Sequence, residues 1–158
     1  MRSRLASIAV LVASVFALGI AAAQAGGCPA DKLRPGGNGQ APSSAAAKGV
    51  TDTVIAQSDL GKEPIGLHDR QFRLRRLVIQ PGGIVPWHSH GNRPALIYVV
   101  AGEVTEYAST CAVPIVHRAG DATAETHATA HWWKNTGSTP AVLLSADLFP
   151  AHDDAHMM

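Results

Sequence analysis

The chain lacks an excess of charge of either sign. Its 158 residues include 13 lysines and arginines against 12 aspartates and glutamates. Two arginines and no acidic residue fall within the first 25 residues, which leaves 11 basic and 12 acidic side chains in the remainder. Such a balance lacks the basic surface that nucleic acid or an anionic membrane requires, so we expect neither as a partner. The arginine-rich FRLRR segment at 72–76 is interpreted as a strand with a solvated face.

Long hydrophobic runs are also missing, apart from one near the start. Arg2 and Arg4 precede an apolar run, which is followed by Ala23-Gln24-Ala25. This is the layout of a secretory signal peptide, with cleavage after Ala25. The run is short for a membrane span of about 20 residues, which makes an uncleaved anchor the weaker alternative. We therefore predict a signal peptide at 1–25 and a periplasmic or secreted protein.

Cysteine is scarce, and only Cys28 and Cys111 are present. An even pair in a small exported chain indicates a disulfide, because the compartment is oxidising. The bond would close a loop of about eighty residues and contribute on the order of 4 kcal/mol to stability. Two alternatives remain open, namely unpaired thiols and lipidation of Cys28 as a lipoprotein anchor.

Convincing helical periodicity is absent beyond the apolar run. Residues 26–49 are rich in Gly, Pro, Ala and Ser and are interpreted as a flexible linker. From residue 50 to 150 the chain consists of short β-rich runs separated by Gly and Pro, and residues 151–158 are expected to form a flexible tail. Many short strands with such punctuation predict an all-β sandwich or barrel. Turns are expected at 81–83, 101–102, 119–121 and 135–137.

Three histidines have the spacing of a metal site. His88 and His90 are two residues apart, so on a strand both side chains point to one face. His131, about forty residues later, is expected to supply a third imidazole from a neighbouring strand. Neutral imidazole suits zinc, copper, iron or nickel, and three such ligands leave open coordination positions.

The surrounding residues make the pattern more specific. GGIVPWHSHGNRPALIYVVAG, from Gly82, resembles the first motif of the cupin superfamily, and GDATAETHATAHWWKN, from Gly120, resembles the second. The residues in register are three glycines, the three histidines and one asparagine: Gly82, Gly102, Gly120, His88, His90, His131 and Asn135. The resemblance covers about residues 50–149. It implies a double-stranded β-helix, or jelly-roll barrel.

The departures from the motifs affect the chemistry. The glutamate of the first cupin motif falls at Ala95, and the Pro and Gly of the second motif fall at Thr126 and Ala128. The chain therefore resembles a three-histidine cupin, a variant found among diketone-cleaving and thiol dioxygenases. A divalent ion on three imidazoles would keep a formal charge of +2 and favour chelating anions.

Strand alternation assigns several neighbouring side chains. Trp133 shares parity with His131 and is expected to wall the pocket, whereas Trp132 and Tyr98 are expected outside and would favour a homodimer. Arg93 is a candidate for holding an anion at the pocket mouth, with an exposed loop arginine as the alternative. His127 could act as a pocket acid or base, but a loop histidine is the favoured interpretation.

Two classes of function follow from the resemblance. One is a metal-dependent oxidoreductase of the dioxygenase type that acts on a small chelating anion. The other is a non-catalytic module that holds a metal or small ligand in the periplasm. Iron is the first choice of metal, with manganese, nickel, zinc or copper as alternatives. No residue is assigned a catalytic role.

Overall fold

The computed structural model describes residues 26–151. The predicted signal peptide at 1–25 and nearly all of the predicted tail lie outside this range. The regular structure of these described residues consists of eight strands and two single-turn 3₁₀ helices, Ala30–Lys32 and Leu60–Lys62. The strands are β1 Lys48–Asp59, β2 Arg70–Ser89, β3 Ala95–Ala101, β4 Glu103–Ala108, β5 Ile115–Arg118, β6 Ala122–Glu125, β7 Ala130–Lys134 and β8 Ala141–Pro150. Within residues 26–151, no helix has the length and apolar character needed to cross a membrane.

All strand pairs are antiparallel, and the sheet curls into a nearly closed barrel. The order is β5-β4-β7-β2-β8-β3-β6, with β1 added on β2. Apart from the consecutive pairs β1–β2 and β4–β5, neighbours in this order are distant in sequence, as expected for a jelly roll rather than for a series of hairpins. The predicted all-β jelly-roll fold is confirmed.

Strand β2 is the longest element and connects the two halves of the sheet. It pairs with β8 up to Ile79 and with β7 from Ile84 onward. We expected a turn at 81–83, but the strand continues through these residues and bends instead. Gly82 has φ of 72° and donates its N–H to the Asn135 carbonyl at 2.9 Å. A positive φ is easily adopted only by glycine, so this motif residue allows the bend.

Alternation along the strands separates the core from the surface as predicted. Ile97 and Val99 are buried in the main apolar core, whereas Tyr98 and Val100 are exposed. The motif asparagine, Asn135, is fully buried, and its amide nitrogen donates to two carbonyls at 2.8 Å each. Asn135 therefore ties the end of β7 to β2 and to the following turn.

The segment before β1 is attached to the barrel, unlike the flexible linker that composition suggested. Cys28 and Cys111 form a disulfide, with Cα atoms 5.8 Å apart. Four backbone hydrogen bonds of 2.7–2.9 Å connect residues 32–40 to residues 108–112. Composition missed this attachment because the segment pairs through its backbone, which leaves no pattern in the side chains. Its extended residues cover the second, smaller core cluster around Cys111.

Candidate metal centre

The three motif histidines meet inside the barrel. His88 and His131 face each other directly across the β2–β7 pair, and His90 lies one residue beyond the end of β2. Their Nε2 atoms form a triangle with sides of 3.1 Å. His90 and His131 are almost completely buried, and His88 is partly buried. The three histidines that the sequence spacing indicated therefore lie together in the structure.

A carboxylate that the sequence motifs did not indicate completes the group. Glu125, the last residue of β6, places Oε2 at 3.0 Å from Nε2 of His90 and Oε1 at 3.3 Å from Nε2 of His131. The ligand atoms of these four residues all lie within 4.8 Å of one another. The expectation of a site without a carboxylate thus needs correction. A divalent ion held by all four groups has a formal charge of +1, not +2.

Hydrogen bonds at Nδ1 orient the three rings so that each Nε2 faces the centre. Backbone carbonyls accept from two of them: Pro86 O from His88 at 3.0 Å, and Arg93 O from His90 at 2.8 Å. Carbonyls only accept, so both Nδ1 atoms carry a hydrogen, and a ring whose single hydrogen is there directs its Nε2 lone pair inward. Converging lone pairs repel unless a cation lies between them. The donor set therefore fits a divalent transition metal.

The third ring is held by a buried carboxylate. Glu106 Oε1 accepts from Nδ1 of His131 at 2.6 Å, and its Oε2 accepts from Nε2 of the fully buried His117 at 2.8 Å. Burial alone would raise the pKa of Glu106, but the hydrogen bonds from His117 and His131 outweigh it and lower the pKa to about 2. A carboxylate behind a histidine ligand fixes the ring and increases its basicity.

The ligands differ in how readily they hold a proton. Burial, followed by the nearby His131, lowers the pKa of His88 to about 2, so this ring is neutral at physiological pH. Burial also lowers the pKa of His131, but the hydrogen bond to Glu106 and the charge of Glu125 outweigh it, and the net shift is upward. A metal ion must therefore compete with a proton mainly at His131.

The other predicted pocket residues have different positions. Trp133 is buried, and its Nε1–H points at the His131 ring, 3.2 Å from Nδ1. Ala95 is buried in the core directly opposite Glu125 on the β3–β6 pair. His127 is exposed in the turn before β7. Trp132 is half-buried and stacks on Tyr107 with ring centroids 3.9 Å apart.

Arg93 does not lie at the pocket mouth. It is 1% exposed, and its Nη1 lies 3.6 Å from Oδ2 of the fully buried Asp147. Asp147 also receives two hydrogen bonds from Arg73, at 2.9 and 2.7 Å, and approaches Nε of Arg75 at 3.3 Å. Burial and the neighbouring Arg75 lower the pKa of Arg93. Arg93 is therefore part of a buried network of charged side chains in which three arginines surround Asp147.

The arginine that lines the pocket is Arg75. The expected solvated arginine face is wrong for Arg73 and Arg75, because only Arg76 of the three is exposed. Arg75 pairs with Asp52 of β1 and places Nη2 at 3.3 Å from Oγ of Ser145. Asp52 on β1 and Asp147 on β8 balance the charge of the buried guanidinium. The sequence of β2 alone does not show where these partners lie.

A pocket connects this arginine to the metal-ligand cluster. It encloses about 420 Å³, part of it open to solvent. Its polar lining consists of His88 and Glu125 from the cluster together with Arg75, Asp52 and Ser145. The remaining wall is apolar and consists of Val50, Leu77, Val85, Ile97, Trp133 and Leu143. The lining therefore places two of the four cluster residues, a buried arginine and an apolar wall around one space.

Sequence reasoning missed Glu125, Glu106, His117 and Arg75. Each is a charged or titratable residue with the parity of the inward face of its strand, and that parity is the only signal the sequence offers. The position of Glu125 in particular depends on the pairing of β3 with β6. In the chain, the two strands β4 and β5 lie between them.

Comparison with known proteins agrees with this architecture. The family model described as "Cupin domain" matches residues 75–147. A germin-like protein 5-1 from Oryza sativa is 30% identical over 97 residues, which are 60% of this chain and 43% of the rice protein. Nectarin-1 from a Nicotiana hybrid is 29% identical, with 60% and 42% covered. The chain thus spans less than half the length of these relatives.

One solved structure is similar to this chain in fold, and the likeness concerns the fold only. The crystal structure of a predicted oxalate decarboxylase from Thermotoga maritima superposes with a TM-score of 0.54 at 20% identity, covering 74% of this chain and 97% of the other.

Proposed function

We propose that this chain is a cupin-superfamily protein, as the match of residues 75–147 to the cupin family model supports, and that it is an exported, metal-dependent oxidoreductase of the dioxygenase type that acts on a small chelating anion. The observation that carries this proposal is the convergence of three Nε2 atoms and one carboxylate beside a pocket that is lined by His88, Glu125 and Arg75. Export rests on the leader sequence, whose predicted cleavage site precedes Gly26.

The ligand set selects among metals. Four protein donors fill a tetrahedral zinc site, whereas an ion that prefers six ligands keeps two positions for a substrate. Iron is our first choice, followed by manganese and nickel, because these ions accept such a mixed nitrogen and oxygen set. When bound, the ion supplies Lewis acidity and, for iron or manganese, redox chemistry with oxygen. Two open positions favour a bidentate ligand such as a diketonate, a hydroxy acid or an aminothiolate.

The residues of the pocket have separate roles in this proposal. His88, His90, His131 and Glu125 hold the ion. Arg75 attracts the negative charge of the substrate, and the pairing with Asp52 and Ser145 fixes its guanidinium in place. The apolar wall, including Trp133, excludes water, which strengthens these electrostatic interactions.

Oxygen uptake tests the proposed activity. Metal-free protein would be loaded with ferrous iron and mixed with acetylacetonate, cysteine or a small hydroxy acid in an oxygen electrode. We expect uptake with at least one of these anions and none with His88→Ala. Anion binding without oxygen uptake, for every metal loaded, would instead favour the non-catalytic binding module.

A further inference from the structure

Gly26 contacts a histidine that supports the metal centre. This glycine is buried, and its φ is 44°. A Cβ built at position 26 would come within 2.2 Å of Nδ1 of His117. His117 donates to Glu106, and Glu106 accepts in turn from the metal ligand His131. The residue that follows the predicted cleavage site therefore lies against the far end of the His117–Glu106–His131 chain of hydrogen bonds.

The facing atom of His117 has an unmet hydrogen-bonding requirement. His117 is completely buried, and its Nδ1 has no hydrogen-bond partner within residues 26–151. Because the Glu106 carboxylate accepts at Nε2, that nitrogen carries a hydrogen, and in a ring with a single hydrogen Nδ1 is an acceptor. A buried acceptor without a donor is costly and calls for an explanation. A donor carried by Gly26, which faces this atom, would meet that requirement.

We infer that the terminal amino group of Gly26, created when the leader is removed, donates a hydrogen bond to Nδ1 of His117 and so supports the metal ligand His131. This inference rests on the cleavage included in the proposed function. A free amino group has three hydrogens and turns about the N–Cα bond, whereas a peptide N–H has one hydrogen in a fixed plane. After cleavage, the amino group of Gly26 has three hydrogens that can turn toward His117. Before cleavage, the peptide N–H of Gly26 has one hydrogen whose direction is fixed.

Two features of the structure fit a chain terminus at this position. Terminal residues are usually poorly ordered unless something holds them. Here the Cys28–Cys111 disulfide anchors the chain two residues later, and His117 itself is held by stacking on Trp133, with ring centroids 4.8 Å apart. Only glycine leaves space beside His117 Nδ1, since any Cβ would overlap the ring. Removal of the leader thereby becomes a step that completes the support of the metal site.

The test compares exported protein that begins at Gly26 with protein that carries one additional alanine before it, each verified by intact mass. Zinc is the probe, because it permits NMR of ¹⁵N-labelled histidine. We expect the Nδ1 resonance of His117, assigned by its loss in His117→Asn, to show an accepted hydrogen bond only in the protein that begins at Gly26. Zinc affinity should be lower in the extended protein.

Gly26→Ala and Gly27→Ala form a matched pair, because Gly27 is exposed. Gly26→Ala should reduce zinc affinity, and Gly27→Ala should not. Identical Nδ1 shifts and zinc affinities in the two starting proteins would overturn the inference, as would a native protein that begins elsewhere. Failure of every variant to bind zinc would refute the proposed metal site, while the His117 resonance would still decide the role of Gly26.

Discussion

Ala95 and Glu125 lie directly opposite each other on the paired strands β3 and β6. Both are buried, so both side chains enter the same part of the barrel interior. Cβ atoms of such opposed residues are about 5 Å apart. The small side chain of Ala95 therefore leaves the space in which the carboxylate of Glu125 reaches the histidine cluster.

Exchange of these two residues should move the carboxylate without removing it. Glu125→Ala should weaken divalent-metal binding, because the group of four ligand residues found within 26–151 loses its one carboxylate. Adding Ala95→Glu to that variant should restore part of the affinity, which calorimetric titration with Mn²⁺ would measure. Ala95→Glu alone should cost about 1–3 kcal/mol of stability, since two carboxylates would then compete for one space. Equal affinity of the single and the double variant would show that residue 95 does not face the ion.

One divalent ion per chain should depend on the three histidines. His88→Ala should lower metal affinity by orders of magnitude and remove the metal-dependent rise in melting temperature, because binding is linked to folding. His127→Ala is the matched control, since that side chain is exposed in the turn. Elemental analysis and thermal unfolding with and without metal would measure both effects. Loss of metal from the His127 variant alone would contradict the assigned ligands.

Glu106 should make the metal-free protein less stable in acid. Its folded pKa of about 2 lies below its ordinary value, so its contribution is present above about pH 4.5 and is lost as the pH falls through 2. A shift of this size corresponds to roughly 3 kcal/mol. Urea unfolding between pH 2 and pH 6 should show a flatter profile for Glu106→Gln. Glu103→Gln, on the same strand but part-exposed, should leave the profile unchanged.

Arg75 should govern the binding of anions more than the binding of metal. Arg75→Gln should weaken the affinity of metal-loaded protein for a chelating anion by tenfold or more, because a charge-assisted contact of about 1.5–3 kcal/mol is lost. Its metal affinity should change far less. Arg76→Gln, at the exposed neighbouring position, is the control. Since the unpaired Asp52 would destabilise the first variant, circular dichroism must show that it is folded before titration.

The Cys28–Cys111 bond should stabilise the exported protein. Replacing both cysteines by serine opens a loop of 83 residues, and we expect a loss of about 4 kcal/mol in the free energy of unfolding. Chemical denaturation of the variant and of the oxidised protein would measure it. Two free thiols in freshly exported protein, found by titration under denaturing conditions, would contradict the prediction.

The sequence by itself determined the strand pattern, the motif glycines and the three histidines. These are local features, since alternation and His-x-His spacing depend only on residues close together in the chain. The parity of Trp133, Ile97 and Tyr98 was predictable for the same reason.

Only the tertiary structure decided which charged groups share the interior. Glu125 replaces the missing motif carboxylate because β6 pairs with β3, and Arg75 enters the pocket because Asp52 and Asp147 on other strands balance its charge. Strands distant in sequence bring these groups together, and no local pattern records the register between them. The position of Gly26 against His117 has the same origin, because the Cys28–Cys111 disulfide holds the start of the described chain against β5 only in the folded protein.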